Sequence, residues 1–262
     1  MIRRAAGRVL PPLLAFLAAN LLWETAVRLL GVPAYLLPAP SRILAALVTH
    51  AATLGRALLV TGHAALLGFL FSALLGVVAG VVIASARWVQ RAVYPFTVFL
   101  QTVPLVAIAP LLVVWFGFGI APVAVAAFIV SVFPVIVNTV TGLRSVDPAL
   151  VDLFRLYRAS WPARLFKLRL PAALPAVFAG LRVAAGLAVI GAVVGEFVAS
   201  YAGDDAGIGM LALTYSRESH TDRLFAAVGL ASLLGLALFG AVSLASWLTL
   251  HRWHASEQEQ VR

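Results

Sequence analysis

No cysteine occurs in the 262 residues, which excludes disulfides, thiolate catalysis and cysteine-ligated metals. Charge is scarce as well: Asp, Glu, Lys and Arg make up 11% of the chain, against about 25% in soluble domains. Lysine occurs once, as Lys167 after Phe166, so a G-x-x-x-x-G-K-[ST] phosphate loop is impossible. No H-E-x-x-H metal motif is present, and no carboxylate pair sits inside an apolar run, as a proton- or sodium-driven carrier would require. No stretch of about 100 residues has ordinary polarity, which excludes a separate soluble catalytic domain.

Apolar residues are abundant, at 63% with a mean hydropathy of +1.03. Too few polar side chains remain to clothe a soluble surface, so the chain is an all-α integral membrane protein. A crossing helix needs roughly 20 apolar residues, and six runs qualify: Leu10–Leu30, Ala57–Ala84, Val93–Gly117, Ile120–Val140, Leu170–Ala199 and Leu224–Leu250. The basic start, Met1–Arg8, has the layout of a signal peptide. Its apolar run continues to Leu30 with no small-x-small site after it, so it reads as an uncleaved first helix. Six crossings put both termini on one side. If that side is the cytoplasm, inside segments hold 13 basic residues and outside segments 5, with Arg182 inside a helix. This bias places the termini in the cytoplasm. It also explains the net charge of +9 through membrane orientation, without nucleic acid as a partner.

Three units follow: residues 1–56, a first helix and an outer segment; 57–250, the transmembrane domain with an inner loop at 141–169; and 251–262, an inner tail. In the outer segment, Pro33, Pro38 and Pro40 precede Ser41, which has the character of an N-cap for a short helix Arg42–His50. Between the last two spans, Gly203–Gly209 reads as a flexible turn.

Within the spans, Gly68, Ser72, Gly76 and Gly80 form one smooth stripe, and Gly191 and Gly195 repeat the spacing. Such stripes pack helices within a subunit, or slide on a second copy. Pro104 and Pro110 kink the third span, where Gln101 and Thr102 offer polar groups at membrane depth. That arrangement suits either a kinked packing helix or the lining of a polar path. Glu24 and Arg28 are spaced for a structural ion pair. Glu196, near the outer end of the fifth span, is expected to reach interfacial water, and His63 reads as structural.

The inner loop is the most informative stretch. Asp147 can cap a helix whose first residue is Pro148. Leu150, Leu153, Phe154 and Tyr157 then share one apolar face. Two short helices outside the bilayer are expected here, lying on lipid headgroups or docking on a soluble partner.

The end of this loop, Arg169-Leu170-Pro171-Ala172-Ala173-Leu174-Pro175 followed by Gly180-Leu181-Arg182, resembles the E-A-A loop of bacterial ABC importer permeases. Gln101–Pro110 with Leu111–Gly117 is similar to the third helix of their nitrate/sulfonate/taurine-type branch, as is Phe133–Val140 with Gly142–Pro148 after it. The resemblance implies six helices in the type I (MetI-like) permease architecture, in the inner membrane of a bacterium. It implies a transport subunit without enzymatic activity or cofactor of its own. The implied partners are an ABC-type ATPase that binds ATP and magnesium, a second permease copy, an extracytoplasmic solute-binding protein and membrane lipid. By position, Asp152, Leu153, Phe154, Leu156, Tyr157, Arg158 and Ala159 would meet the ATPase. Gln101, Thr102 and Pro104 would line the path, with Asn138 and Glu196 as further candidates. The expected cargo is a small polar solute of the sulfonate, taurine or nitrate kind, or a pyrimidine-type vitamin precursor. The chain departs from the pattern at Asp152-Leu153-Phe154, where the family has Glu-Ala-Ala or Glu-Leu-Ala, so that a bulky ring replaces the small Ala, and at Arg158, where the family has Gly. A stand-alone channel or secondary carrier would need ionisable groups inside the spans. A membrane-embedded enzyme would need a clustered catalytic set. The sequence offers neither.

Overall fold

Three helices of small residues set the architecture. The computed structural model describes residues 2–199 and 206–251. Among these the chain is built of helices: α1 (Ile2–Leu29), α2 (Pro40–Thr49), α3 (Ala51–Ser85), α4 (Arg87–Thr102), α5 (Leu105–Phe116), α6 (Ile120–Arg144), α7 (Pro148–Leu156), α8 (Trp161–Arg164), a π turn (Leu165–Arg169), α9 (Leu170–Ala199), α10 (Ile208–Arg217) and α11 (Thr221–Leu250). Five of the described helical runs are long and apolar enough to cross a membrane.

The core is α3, α6 and α9. A Cβ added to Gly68 would lie 2.5 Å from Ala127 Cβ, one on Gly76 2.8 Å from Val135 Cβ, and one on Gly80 2.6 Å from Thr139 Cβ. The partners recur in the same order on both helices, so α3 and α6 run parallel. On α9 the order reverses: Gly180 meets Asn138, Gly191 meets the Ala127 backbone and Gly195 meets Ala126. Helix α9 is therefore antiparallel to α6. Both stripes pack within this one subunit, and Ala127 sits between Gly68 and Gly191. Close approach of small residues replaces the hydrophobic drive that lipid removes. Large apolar side chains point outward instead, among them Phe16, Leu59, Val114 and Leu248.

The expected third span is broken rather than kinked. Pro104 has no N–H and drives Val103 into an extended conformation. Helix α4 stops at Thr102, and Pro104 becomes the N-cap of α5. The pieces have 16 and 12 residues, each short of a crossing. Gly117 and Gly119 then adopt φ of +74° and +115°, which turns the chain into α6. The Gly119 N–H donates to the Ala199 carbonyl at 2.9 Å.

Two local expectations change. The N-cap of α2 is Ala39, with Pro40 in the first turn, and Ser41 lies inside the helix. The Ser41 N–H and hydroxyl instead donate to Glu24 at 3.0 and 2.8 Å, while Arg28 Nε donates to the same carboxylate at 2.6 Å. The predicted pair Glu24–Arg28 thus also anchors α2 to α1. The second loop helix is not separate: α8 continues through the π turn into α9. Pro171 cannot donate to the Lys167 carbonyl, and the register slips beside it, with the Leu170 N–H reaching Leu165. Residues 200–205 and 252–262, which include the first three residues of the predicted flexible turn and all of the tail after His251, lie outside the described residues; the rest of that turn is buried and leads into α10.

Candidate functional site

Helix α7 is held at both ends by its own sequence. The Asp147 carboxylate accepts the Ala149 N–H at 2.9 Å, and Pro148 occupies the first turn. At the other end the Ala159 N–H donates to the Phe154 carbonyl at 3.0 Å and the Arg158 N–H to the Arg155 carbonyl at 2.9 Å. These two bonds make a Schellman cap. Arg158 supplies its left-handed residue, at φ +50°. The turn expected of glycine is thus kept without glycine, at about 1 kcal/mol. Arg158→Gly is expected to tighten the cap by that amount. Slower hydrogen exchange at the Ala159 amide, by about fivefold, would register it; unchanged exchange would show that the strain is relieved elsewhere.

Among the described residues, none of α7 is buried. Leu150 and Leu153 are exposed, and Leu156 and Tyr157 are 81% and 80% exposed. Phe154 and Ala159 are half-buried. Asp152 accepts from Arg155 at 3.0 Å, with both side chains largely in the open. A surface pair of that kind contributes about 1 kcal/mol or less, so either group is free to change partners. The result is a rigid, capped helix with an uncovered apolar side.

The candidate path residues separate into two groups. Gln101, Thr102 and Pro104 cluster at the break between α4 and α5, and all three are exposed. The Thr102 hydroxyl donates to the Phe99 carbonyl at 2.8 Å. Non-helical backbone at membrane depth persists only where protein or water covers it, and the described residues leave the break exposed. Asn138 is half-buried; its amide donates to the Pro134 carbonyl of its own helix at 2.9 Å, against Gly180.

Glu196 is turned inward and does not reach interfacial water. It is 1% exposed and accepts the Gly209 N–H at 2.7 Å. Gly207 and Gly209 leave no room for a side chain there: a Cβ on Gly207 would collide with the Glu196 carboxyl and one on Gly209 with the Val193 carbonyl. Thr61, which the sequence reading passed over, accepts the Ile208 N–H at 2.8 Å and is fully buried. Glu196 and Thr61 together satisfy the first amides of α10 and tie it to α9 and α3. Sequence carries the Gly207-Ile208-Gly209 helix start but no signal that pairs it with Thr61, 147 positions away. Behind them Tyr215 is buried, which pushes its hydroxyl up, with the Arg223 guanidinium 5.9 Å from its ring centre. Glu196→Ala is expected to loosen α10 by about 1–3 kcal/mol. Glu196→Gln, which keeps an acceptor, should lose less. Limited proteolysis between α9 and α11 checks both, and equal resistance of wild type and Glu196→Ala would refute the tie.

Residues 72–251 match the family described as binding-protein-dependent transport system inner membrane component. A probable ABC transporter permease protein of Haemophilus influenzae is 36% identical over 94% of this chain and 97% of its own length. A formylaminopyrimidine transport permease of Halalkalibacterium halodurans is 35% identical over 90% and 92%. A riboflavin transport system permease of Chloroflexus aurantiacus is 33% identical over 89% and 86%. Further relatives are named for aliphatic sulfonates and for bicarbonate. With its bundle of apolar helices and its capped loop helix, the chain belongs to the binding-protein-dependent inner membrane components, as a multi-pass permease of the ABC transporter type.

Proposed function

We propose that this permease is the membrane-spanning subunit of an ATP-driven importer, working as a pair of copies, and that α7 docks on a separate ATPase subunit that binds ATP and magnesium. The observation that carries the reading is α7 itself: capped, rigid and with its apolar side uncovered. The α4–α5 pair serves as the sixth crossing, with both termini in the cytoplasm, in line with the basic-residue bias. An extracytoplasmic binding protein delivers the solute. The exposed break at Gln101, Thr102 and Pro104 lines the path, where a second copy or water covers it. Asn138 and Glu196 act behind it, by holding helices in place.

The cargo is a small polar solute. A nitrogen heterocycle such as a pyrimidine vitamin precursor is favoured over a sulfonate, because the relatives named for formylaminopyrimidine and riboflavin are matched over about nine-tenths of this chain. The relatives named for sulfonates are matched over less of it, 66% for that of Bacillus subtilis and 81% for that of Escherichia coli.

Purification from native membranes through a tag on this chain, with subunit composition by mass spectrometry, tests the machinery. Two ATPase copies with two permeases are expected. Recovery of the chain alone, moving solute in vesicles without ATP, would sink the importer reading. Competition of labelled pyrimidine against sulfonate in reconstituted vesicles decides the cargo.

A further inference from the structure

The end of the bundle that carries α7 also holds a basic cleft. Two adjoining depressions, of about 180 and 360 Å³, share Ala84, Ser85, Leu143 and Arg169. Arg164 lines the first and Arg144 the second, and among the described residues no carboxylate lines either. Arg164 Nε is buried without an acceptor. Among the described residues none of the three guanidiniums has an ion-pair partner. A buried donor left without an acceptor is costly, and three like charges around one cleft repel. The C-terminal ends of α3 and α6, at Ser85 and Arg144, abut the cleft. Their last carbonyls carry partial negative charge, which offsets part of the repulsion but supplies no hydrogen bond to Arg164 Nε.

Guanidinium groups are suited to phosphate, whose oxygens accept paired N–H donors. Trp161 lines the same depression and is exposed, as indoles are at the headgroup level of a bilayer. The slip in register at Leu165–Arg169 separates Arg164 from Arg169 by a wider turn than an α-helix gives, and both side chains still reach the cleft. Basic pockets between membrane helices hold lipid phosphates by this chemistry. We infer that the cleft formed by Arg144, Arg164 and Arg169 binds a phosphate group, carried by an anionic phospholipid or free in solution. Val151 of α7 lines the second depression, so the bound anion sits against the root of the loop helix.

The test compares wild type with Arg164→Gln/Arg169→Gln, each purified as the complex the cell assembles. Retention of phosphatidylglycerol, phosphatidylcholine and inorganic phosphate is followed by native mass spectrometry and by shifts in Tm. Wild type is expected to hold phosphatidylglycerol over phosphatidylcholine by roughly thirtyfold, for two cations near a lipid phosphate. The variant should lose that preference, and Arg164→Lys/Arg169→Lys should keep part of it. Stabilisation by inorganic phosphate in wild type alone, without lipid preference, would assign the site to a free anion. Equal behaviour of wild type and variant toward every probe would overturn the inference. So would loss of an ATPase subunit from the variant with no change in anion retention, because the arginines would then serve that contact. Should the glutamine variant fail to fold, wild type decides alone: no lipid preference and no phosphate-induced shift in Tm would overturn it. None of these readouts depends on which solute is carried or whether ATP drives it, so failure here leaves the importer reading standing.

Discussion

Gly68→Leu is expected to abolish accumulation of the folded permease. The position has no slack: an added Cβ would lie 2.5 Å from Ala127 Cβ and 2.6 Å from the Ala124 carbonyl, and the second of these is backbone. Relief requires α3 and α6 to move apart, and Ala127 is already held against Gly191 of α9. Overpacking of a tight core costs about 1–3 kcal/mol for a single extra carbon, so Gly68→Ala should lower Tm measurably while leaving folded protein. Leucine adds three further carbons, and stabilities of about 5–15 kcal/mol leave little reserve. Gly55→Ala, on the same helix with nothing within 4 Å, should be neutral or slightly stabilising. Size-exclusion profiles of the detergent-solubilised chain read all three. A monodisperse Gly68→Leu peak with wild-type Tm would disprove the packing argument.

Leu153→Asp/Leu156→Asp should leave the permease folded and strip it of its ATPase. Both leucines are exposed in the isolated chain, so charge there costs the fold little. In the proposed complex they lie in a groove, where losing an apolar anchor and desolvating a carboxylate together cost about 2–4 kcal/mol. That amounts to a fall in affinity of roughly 30- to 1,000-fold. Co-purification and ATPase stimulation in proteoliposomes measure it. Unchanged stoichiometry would move the docking surface away from α7. Asp152→Ala should have a smaller effect, since its ion pair with Arg155 is exposed.

How legible this was depended on the kind of force involved. Long apolar runs announce themselves, because lipid imposes a length on them. Small-residue stripes announce a packing face but not its partner: Gly68 and Gly191 read alike in sequence, and only the fold shows that both grip Ala127. The cap at Asp147-Pro148 was readable because capping is local. The break at Pro104 was underestimated, because a proline kinks some membrane helices and ends others. Ser41 misled for the opposite reason. Its sequence context is that of a cap, but a carboxylate from α1, 17 positions earlier, competes for the same groups. Glu196 misled likewise. Depth along a helix is legible, whereas the direction a side chain faces depends on Gly207 and Gly209, which fold back over it.

From Trp161 to Ala199 the backbone is a single helical rod of 39 residues, roughly 58 Å long. Near its middle Gly180 rests on the Pro134 carbonyl of α6, with Ala184, Ala185 and Ala188 fully buried beside it. This contact is one of several grips: Gly142 meets Ala173 on the arm that begins beside the loop helix, and Gly191 and Gly195 meet Ala127 and Ala126 on the arm that ends at the Glu196 tie to α10. Clamped on both arms, α6 and α9 move as one body. A push at the loop end is then delivered at the far face by the rod itself, with no relay of side chains between them.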